Sequence, residues 1–224
     1  LSILPEASLH INLNSVTLDT FKNSLKDRST LIGISYNKPP EYENHISILA
    51  TGEADGIYHK QHRVPFGEML PGLDTLYPLI TYLGMSTPQL QSMHTPTNIP
   101  KSTLINYHKE SFYPMLCYEV FFPVIDSTQQ SQATLNIISA ENTFYANSRL
   151  HDMLSSAAKF QALQSMKPTV LVTNRGPSVI YDNQGKIQTK TTYDSDTILT
   201  TETTTNYTQN SYHSGYDSVI IMIL

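Results

Sequence analysis

Tyr58-His59-Lys60-Gln61-His62-Arg63-Val64-Pro65-Phe66-Gly67-Glu68 is the stretch on which the fold turns. Before it, Leu31–Tyr36 and His45–Thr51 are β-branched and apolar between turn signals, which predicts two strands. The turn Gly52-Glu53-Ala54-Asp55-Gly56 brings the chain back as a third strand over Ile57–Val64, so part of the sheet is a meander rather than parallel. Pro65-Phe66-Gly67 breaks that strand, because proline lacks a ladder donor and glycine accepts turn conformations. A strand thus carries a lysine into a tight turn that ends on a carboxylate, Glu68.

On the C-terminal side, Leu73, Leu76, Tyr77 and Ile80 are spaced like one helical face that Pro78 should kink or end. Thr87–Lys101 reads as a loop rich in Pro and Thr, and Met115–Cys117 as the end of a buried strand. Pro123 limits the next residues to a turn or one short helical segment. Ala133–Ser139 predicts another strand. Leu150–Met166 predicts a helix with Leu150, Met153, Leu154, Ala157, Ala158 and Gln161 on one side and Pro168 beyond its end. Thr169–Thr173 is an apolar strand, Ser178–Lys190 a hairpin around Asp182-Asn183-Gln184-Gly185, and the threonine-dense run from Thr189 to Thr208 favours extended structure. With no internal repeat and no linker, the economical architecture is one α/β domain.

Composition narrows the function. The 224 residues are 39% hydrophobic and 15% charged, a globular balance. A net charge of -5 with no basic run disfavours nucleic-acid binding. The single cysteine excludes an intrachain disulfide. No signal peptide is visible. Leu1–Glu6 reads as the tail of a buried strand, and Val219–Leu224 either as a buried last strand or as the stub of a membrane helix; both readings mark the chain as a piece of something longer.

Three places carry reactive groups: Glu6 after an apolar run, Lys60, and Cys117 in Leu116-Cys117-Tyr118-Glu119-Val120-Phe121-Phe122-Pro123. Singly, Glu6 could cap a helix, Lys60 could lie on a solvated face and Cys117 could fill the core. Together they suit acyl transfer at an amide- or ester-type carbonyl. A thiol of pKa about 8.5 is only partly ionised at neutral pH. A carboxylate can take its proton, and an ammonium can stabilise the thiolate and the oxyanion of a tetrahedral intermediate. All three lie at strand ends, which in layered α/β folds converge on one rim. A Ser-His-Asp hydrolase is disfavoured, since no G-x-S-x-G occurs.

The ordered Glu, Lys and Cys resemble the trio of the nitrilase (carbon–nitrogen hydrolase) superfamily. The run Tyr58–Pro71, with Val64-Pro65-Phe66-Gly67-Glu68 at its core, is similar to one branch, the apolipoprotein N-acyltransferases, whose pattern is Y-x-K-x-H-L-V-P-F-G-E-Y-x-P. Leu116-Cys117-Tyr118-Glu119 with Phe122-Pro123 matches that family's nucleophile segment. Lys167-Pro168 with Thr173-Asn174-Arg175-Gly176 resembles its R-P…A-T-N-N-G stretch, and Tyr212–Leu224 its Y-x-R-x-G-D segment. Departures are Arg63 for Leu, Met69 for Tyr, and Ser139–Tyr145 in place of S-N-D-A-W-F-G; the chain contains no tryptophan.

The resemblance implies an α-β-β-α sandwich, two sheets between helix layers, on the periplasmic side of a bacterial inner membrane. It implies a catalytic domain over residues 1–218 that lacks its first strand, with 219–224 starting a removed transmembrane helix. It implies that Cys117 takes an acyl chain from a phospholipid as a thioester and passes it to the N-terminal amine of a diacylglyceryl-cysteine lipoprotein. Glu6 would be the general base, Lys60 the oxyanion stabiliser and Glu68 the carboxylate that holds Lys60, with Tyr118 and Glu119 supporting the nucleophile. No cofactor and no metal are implied; the partners are phospholipid, lipoprotein and membrane, not nucleic acid. Met69–Met93, apolar yet broken by Pro and Gly, reads as an arm over a lipid-accepting site. A soluble amidase of the same superfamily and a degenerate binding domain stand as alternatives.

Overall fold

The computed structural model describes residues 1–11, 15–38, 43–85, 87, 90, 93, 104–122, 126–143, 148–193, 199–203 and 219–223. Most of the Thr87–Lys101 loop, the end of the Ser139–Tyr145 run and the segment before Val219 lie outside them. In chain order the strands are β1 (Ser2–Ile3), β2 (Leu9–Ile11), β3 (Thr30–Lys38), β4 (Glu43–Thr51), β5 (Ala54–Asp55), β6 (Ile57–His59), β7 (Ile105–Tyr107), β8 (Glu110–Leu116), β9 (Leu135–Ala140), β10 (Thr169–Thr173), β11 (Val179–Tyr181), β12 (Ile187–Lys190), β13 (Leu199–Thr203) and β14 (Val219–Ile223). The helices are α1 (Ser15–Ser24), α2 (Leu73–Tyr82), α3 (Ser127–Gln132) and α4 (Leu150–Ser165), with a 3-10 turn over Cys117–Phe121.

Two sheets form. One runs β13-β14-β1-β3-β4-β6 with β2 beside β3, the other β12-β11-β10-β9-β8-β7-β5. Their side chains alternate as pleating requires. Ile137, Val170 and Val172 point into a core shared with Ile3, Leu31, Ile48 and Tyr58 of the facing sheet. Their neighbours Ile138 and Leu171 point outward against Leu154, Ala158 and Ala162 of α4. On the opposite outer face Ile32, Ile34 and Leu49 pack with Phe21 and Leu25. The layers are therefore helix, sheet, sheet, helix, as the resemblance implied. β10 is buried along its whole length, the signature of a parallel strand covered on both faces.

Several expectations shift. The third strand stops at His59, not Val64, so Lys60 stands just past its end. α2 continues through Pro78 instead of ending there. On α4, Met153 is 55% exposed, and Leu154, Ala158, Gln161 and Ala162 form the buried stripe. Val219–Ile223 is a strand whose backbone pairs antiparallel with β13 and parallel with β1, and β1 also pairs with β3. Among the described residues no helix is long and apolar enough to cross a membrane.

Strand direction builds one rim. β8, β9 and β10 are mutually parallel, so their C-terminal ends deliver Cys117, Glu141 and Asn174 to the same side. β1 is parallel to β3, and β6 runs with β3 through two antiparallel pairings, which brings the residues after Ile3 and His59 to one side of the other sheet. Ser139 Oγ donates to Leu4 O across the sheets at 3.3 Å, joining the two sets of strand ends.

Candidate active site

Glu6 enters through a turn that closes when Ser8 Oγ donates to Pro5 O at 2.7 Å. The turn fits only because β3 carries Gly33 beneath it. A Cβ at that position would collide with Pro5 O and stand 2.5 Å from Glu6 Cα. A glycine inside a β-branched strand is the usual mark of close backbone approach, and it was a signal available in Leu31-Ile32-Gly33-Ile34.

Lys60 is fixed at both ends. Its N–H donates to Ile46 O at 2.8 Å. Its fully buried Nζ donates to Glu6 Oε1 at 2.8 Å and to Glu68 Oε1 at 2.6 Å. Glu68 is aimed by its own turn: its other oxygen accepts Val64 N–H at 2.9 Å, and the Gly67, Glu68 and Met69 amides all return to Val64 O. One ammonium thus bridges two carboxylates, and each carboxylate also accepts a backbone N–H, Glu141 N–H reaching Glu6 Oε2 at 3.1 Å. A buried charge persists only with such pairing.

Cys117 opens the 3-10 turn with a left-handed φ of 45°. Ala7 after Glu6, with φ 55°, and Phe66 before Glu68, with φ 63°, share that region. L-residues carry about 1–3 kcal/mol of strain there, and such residues gather at functional sites. The Cys117 thiol faces Glu141 O at 3.9 Å and feels Glu6, Lys60 and Glu68 electrostatically.

Glu119 locks the nucleophile turn to the lysine segment. Its buried carboxylate accepts from Tyr58 Oη at 2.7 Å, Leu116 N at 2.7 Å, Gln61 N at 2.5 Å and His62 N at 3.0 Å. Tyr118 packs edge-on against Phe122, with centroids 4.9 Å apart, and Phe122 stacks on His62 at 4.5 Å. These contacts make Glu119 a clamp and Tyr118 part of an aromatic wall.

Lys60 favours the Cys117 thiolate, but its pull is not the dominant influence on the thiol. Burial first, and Glu6 next, push the thiol up to about 12, against the opposing pull of Lys60. Glu6 is raised by burial, opposed by Lys60 and reinforced by Glu68. Burial works against the Lys60 charge, but Glu6, Glu68 and Cys117 outweigh it and hold the ammonium above its ordinary value. A thiol and a carboxyl both held above their ordinary values, next to the Lys60 ammonium, suit proton removal concerted with attack.

The sequence reading brought out Glu6, Lys60, Glu68, Cys117, Tyr118 and Glu119, and the structure brings all six to one place. It missed Gly33 and the role of residue 141, whose backbone N–H meets Glu6 and whose C=O faces Cys117. Backbone contacts do not depend on side-chain type, so residue 141 carried no signal of its own.

Helix, sheet, sheet, helix is the layering of the nitrilase, or carbon–nitrogen hydrolase, fold. The fold is shared with a branch 10 nitrilase-superfamily member from Saccharomyces cerevisiae, with TM-score 0.54, 15% identity and coverage of 85% of this chain and 72% of that one. It is shared also with a carbon–nitrogen hydrolase superfamily protein from Xanthomonas campestris that carries an arsenic adduct in its active site, with TM-score 0.56, 14% identity and 99% and 77% coverage. No protein-family model matches the sequence. Within that fold class the sequence is similar to apolipoprotein N-acyltransferases. It is 28% identical over 215 residues to that of Haemophilus influenzae, covering 89% of this chain and 40% of the relative. With Pseudomonas syringae pv. tomato the figures are 28% over 160 residues, 70% and 31%, and with Vibrio vulnificus 25% over 224 residues, 94% and 43%. The chain thus spans less than half the length of each of these relatives.

Proposed function

We propose that this chain is the catalytic domain of an N-acyltransferase that moves an acyl chain from a phospholipid, through a Cys117 thioester, to the N-terminal amine of a diacylglyceryl-cysteine lipoprotein. The observation that carries the reading is the buried Lys60 ammonium held between Glu6 and Glu68 beside Cys117. Glu6 takes the thiol proton as Sγ bonds to the ester carbonyl carbon. Lys60 Nζ, anchored by its two carboxylates, faces the oxyanion that forms. The ester C–O bond breaks, Glu6 returns the proton to the leaving alcohol, and the acyl chain remains on sulfur. In the second half the acceptor amine attacks the thioester, Glu6 removes its proton, and the C–S bond breaks to restore the thiol.

Nearby surface supports a lipid donor. α2 begins shortly after Glu68, and Leu76, Leu79, Tyr82, Leu83 and Met85 are each at least 55% exposed along it, as is Phe66 in the lysine turn. An apolar face of this kind suits the acyl boundary of a bilayer. It agrees with a site working at the periplasmic face of a bacterial inner membrane, with the flanking parts of a longer protein supplying the anchor.

The test is to load the protein with phospholipid in detergent and then add either a diacylglyceryl-cysteine peptide or buffer alone. Transfer to the peptide amine with slow loss to water is the expected result. Rapid hydrolysis without transfer would replace this reading with that of an amidase.

A further inference from the structure

The backbone of Glu141 touches both reacting side chains, with the N–H of its 140–141 peptide on Glu6 and the C=O of its 141–142 peptide facing the Cys117 sulfur. It is braced from two sides. The Glu141 carboxylate accepts from Thr143 N at 2.7 Å and from Asn174 Nδ2. Asn142 N–H then donates to Asn174 Oδ1 at 3.0 Å. Behind it, the fully buried Asn142 amide meets His151 Nδ1 at 2.7 Å, on the first turn of α4. The His151 ring is itself boxed in: Tyr193 lies edge-on at 5.3 Å, and Gly176 leaves the space it occupies. A Cβ on Gly176 would collide with His151 Nδ1 and stand 2.9 Å from Asn142 Nδ2.

We infer that Asn142 and His151 are positioning residues of the Cys117–Glu6 pair, holding the backbone of Glu141 against both through one buried amide–imidazole hydrogen bond. The inference rests on the proposed acyl-transfer function. Asn142 Oδ1 has no partner among the described residues, so the bond from Nδ2 to His151 is what orients the amide. A polar pair this deep costs desolvation that an apolar pair would avoid, unless its direction matters. The direction fixes residue 142, hence the plane of the 141–142 peptide and the aim of the Glu141 carbonyl. The Glu141 N–H lies on the preceding peptide and follows through residue 141 itself, whose carboxylate is held by Thr143 and Asn174; it stabilises the charged form of Glu6. The other groups facing Glu6 are Lys60, Glu68 and the Cys117 thiol.

Three variants of the full chain separate hydrogen bonding from packing. Asparagine places its amide oxygen where the Nδ1 of histidine stands, whereas leucine of similar size offers no acceptor. The readouts are the rate of Cys117 alkylation by iodoacetamide as a function of pH, and thioester formation with phospholipid. In His151→Leu and Asn142→Ala the acid limb of the alkylation profile should move to higher pH, because Glu6 loses a donor to its carboxylate. Their neutral-pH rates should fall about tenfold or more, the scale of a lost hydrogen bond to a charged group. His151→Asn should restore the parent's acid limb. A His151→Leu or Asn142→Ala protein with the parent's profile overturns the inference. So does a His151→Asn that fails as His151→Leu fails, because ring packing would then be what counts. If His151→Leu does not fold, Asn142→Ala alone decides between the two results. A parent that shows this pattern yet takes no acyl chain would sink the acyl-transfer reading and leave the positioning of Cys117 by Asn142 and His151 supported.

Discussion

Residues 58–68 bury the Lys60 ammonium between Glu6 and the half-buried Glu68, while α2 and the residues just after it turn leucine, tyrosine and methionine outward. Either arrangement works against folding when taken alone. The difference lies in what compensates. Lys60 has two carboxylates, a backbone anchor and a wall of core side chains, so its charge is fixed to within a hydrogen bond. Among the exposed α2 residues, Leu76 and Leu79 are each 55% exposed, and only Leu73 of that helix is buried. One region is rigid because all its partners are internal. The other is suited to a partner outside the chain, and under the proposed function that partner is lipid.

The comparison breaks most sharply at Lys60. Lys60→Met should leave the buried Glu6 facing the half-buried Glu68 without their shared cation and cost about 3–5 kcal/mol of stability, measured by urea unfolding. It should also lower acyl transfer by about two to four orders of magnitude. Glu6→Gln should lose activity on a similar scale, about two to four orders, yet melt close to the parent. The sign follows from the raised Glu6 carboxyl. A raised folded pKa means that protonated Glu6 favours the fold below its ordinary range, and that this contribution is lost as pH rises through the folded value. A permanently neutral glutamine keeps it. The melting temperature of Glu6→Gln should therefore gain on the parent between acid and neutral pH, and a widening deficit would contradict the assigned direction.

Gly33→Ala probes the same rigidity through the backbone. The added methyl must displace the Glu6 turn, so about 1–3 kcal/mol of stability should go, with a disproportionate fall in activity. Normal activity would mean that the turn yields without moving the carboxylate. At the exposed region the same measurement should barely move. Leu76→Asp with Leu79→Asp should change stability by no more than about 0.5 kcal/mol per site while weakening binding to phospholipid vesicles. Unfolding of that pair would show α2 to be core and end the contrast.

Much of this was legible because parallel strands place their ends together. Lys60 and Cys117 read as strand-end residues from the apolar runs before them, and the runs over Thr169–Thr173 and Leu150–Ser165 carried their periodicity plainly. What stayed hidden depends on tertiary context. Cys117 adopts a left-handed backbone with no glycine to announce it. Glu119 was expected only to support the nucleophile, and the four donors on its two oxygens come from tertiary contacts that its sequence neighbours do not announce. Pro78 read as a kink or a helix end, and α2 runs through it. The Val219–Ile223 run was too short to choose between strand and membrane helix until its pairing with β1 and β13 was known.

The central claim is that Cys117 is the acyl carrier, activated by Glu6 as the bond forms and not ionised beforehand. Its most direct test is intact mass spectrometry of the protein after exposure to phospholipid, with peptide mapping of any adduct. One acyl mass on Cys117 in the parent, released by hydroxylamine and absent from Cys117→Ala, is the predicted result. An acyl adduct mapped to any other residue, or retained in Cys117→Ala, would contradict the account.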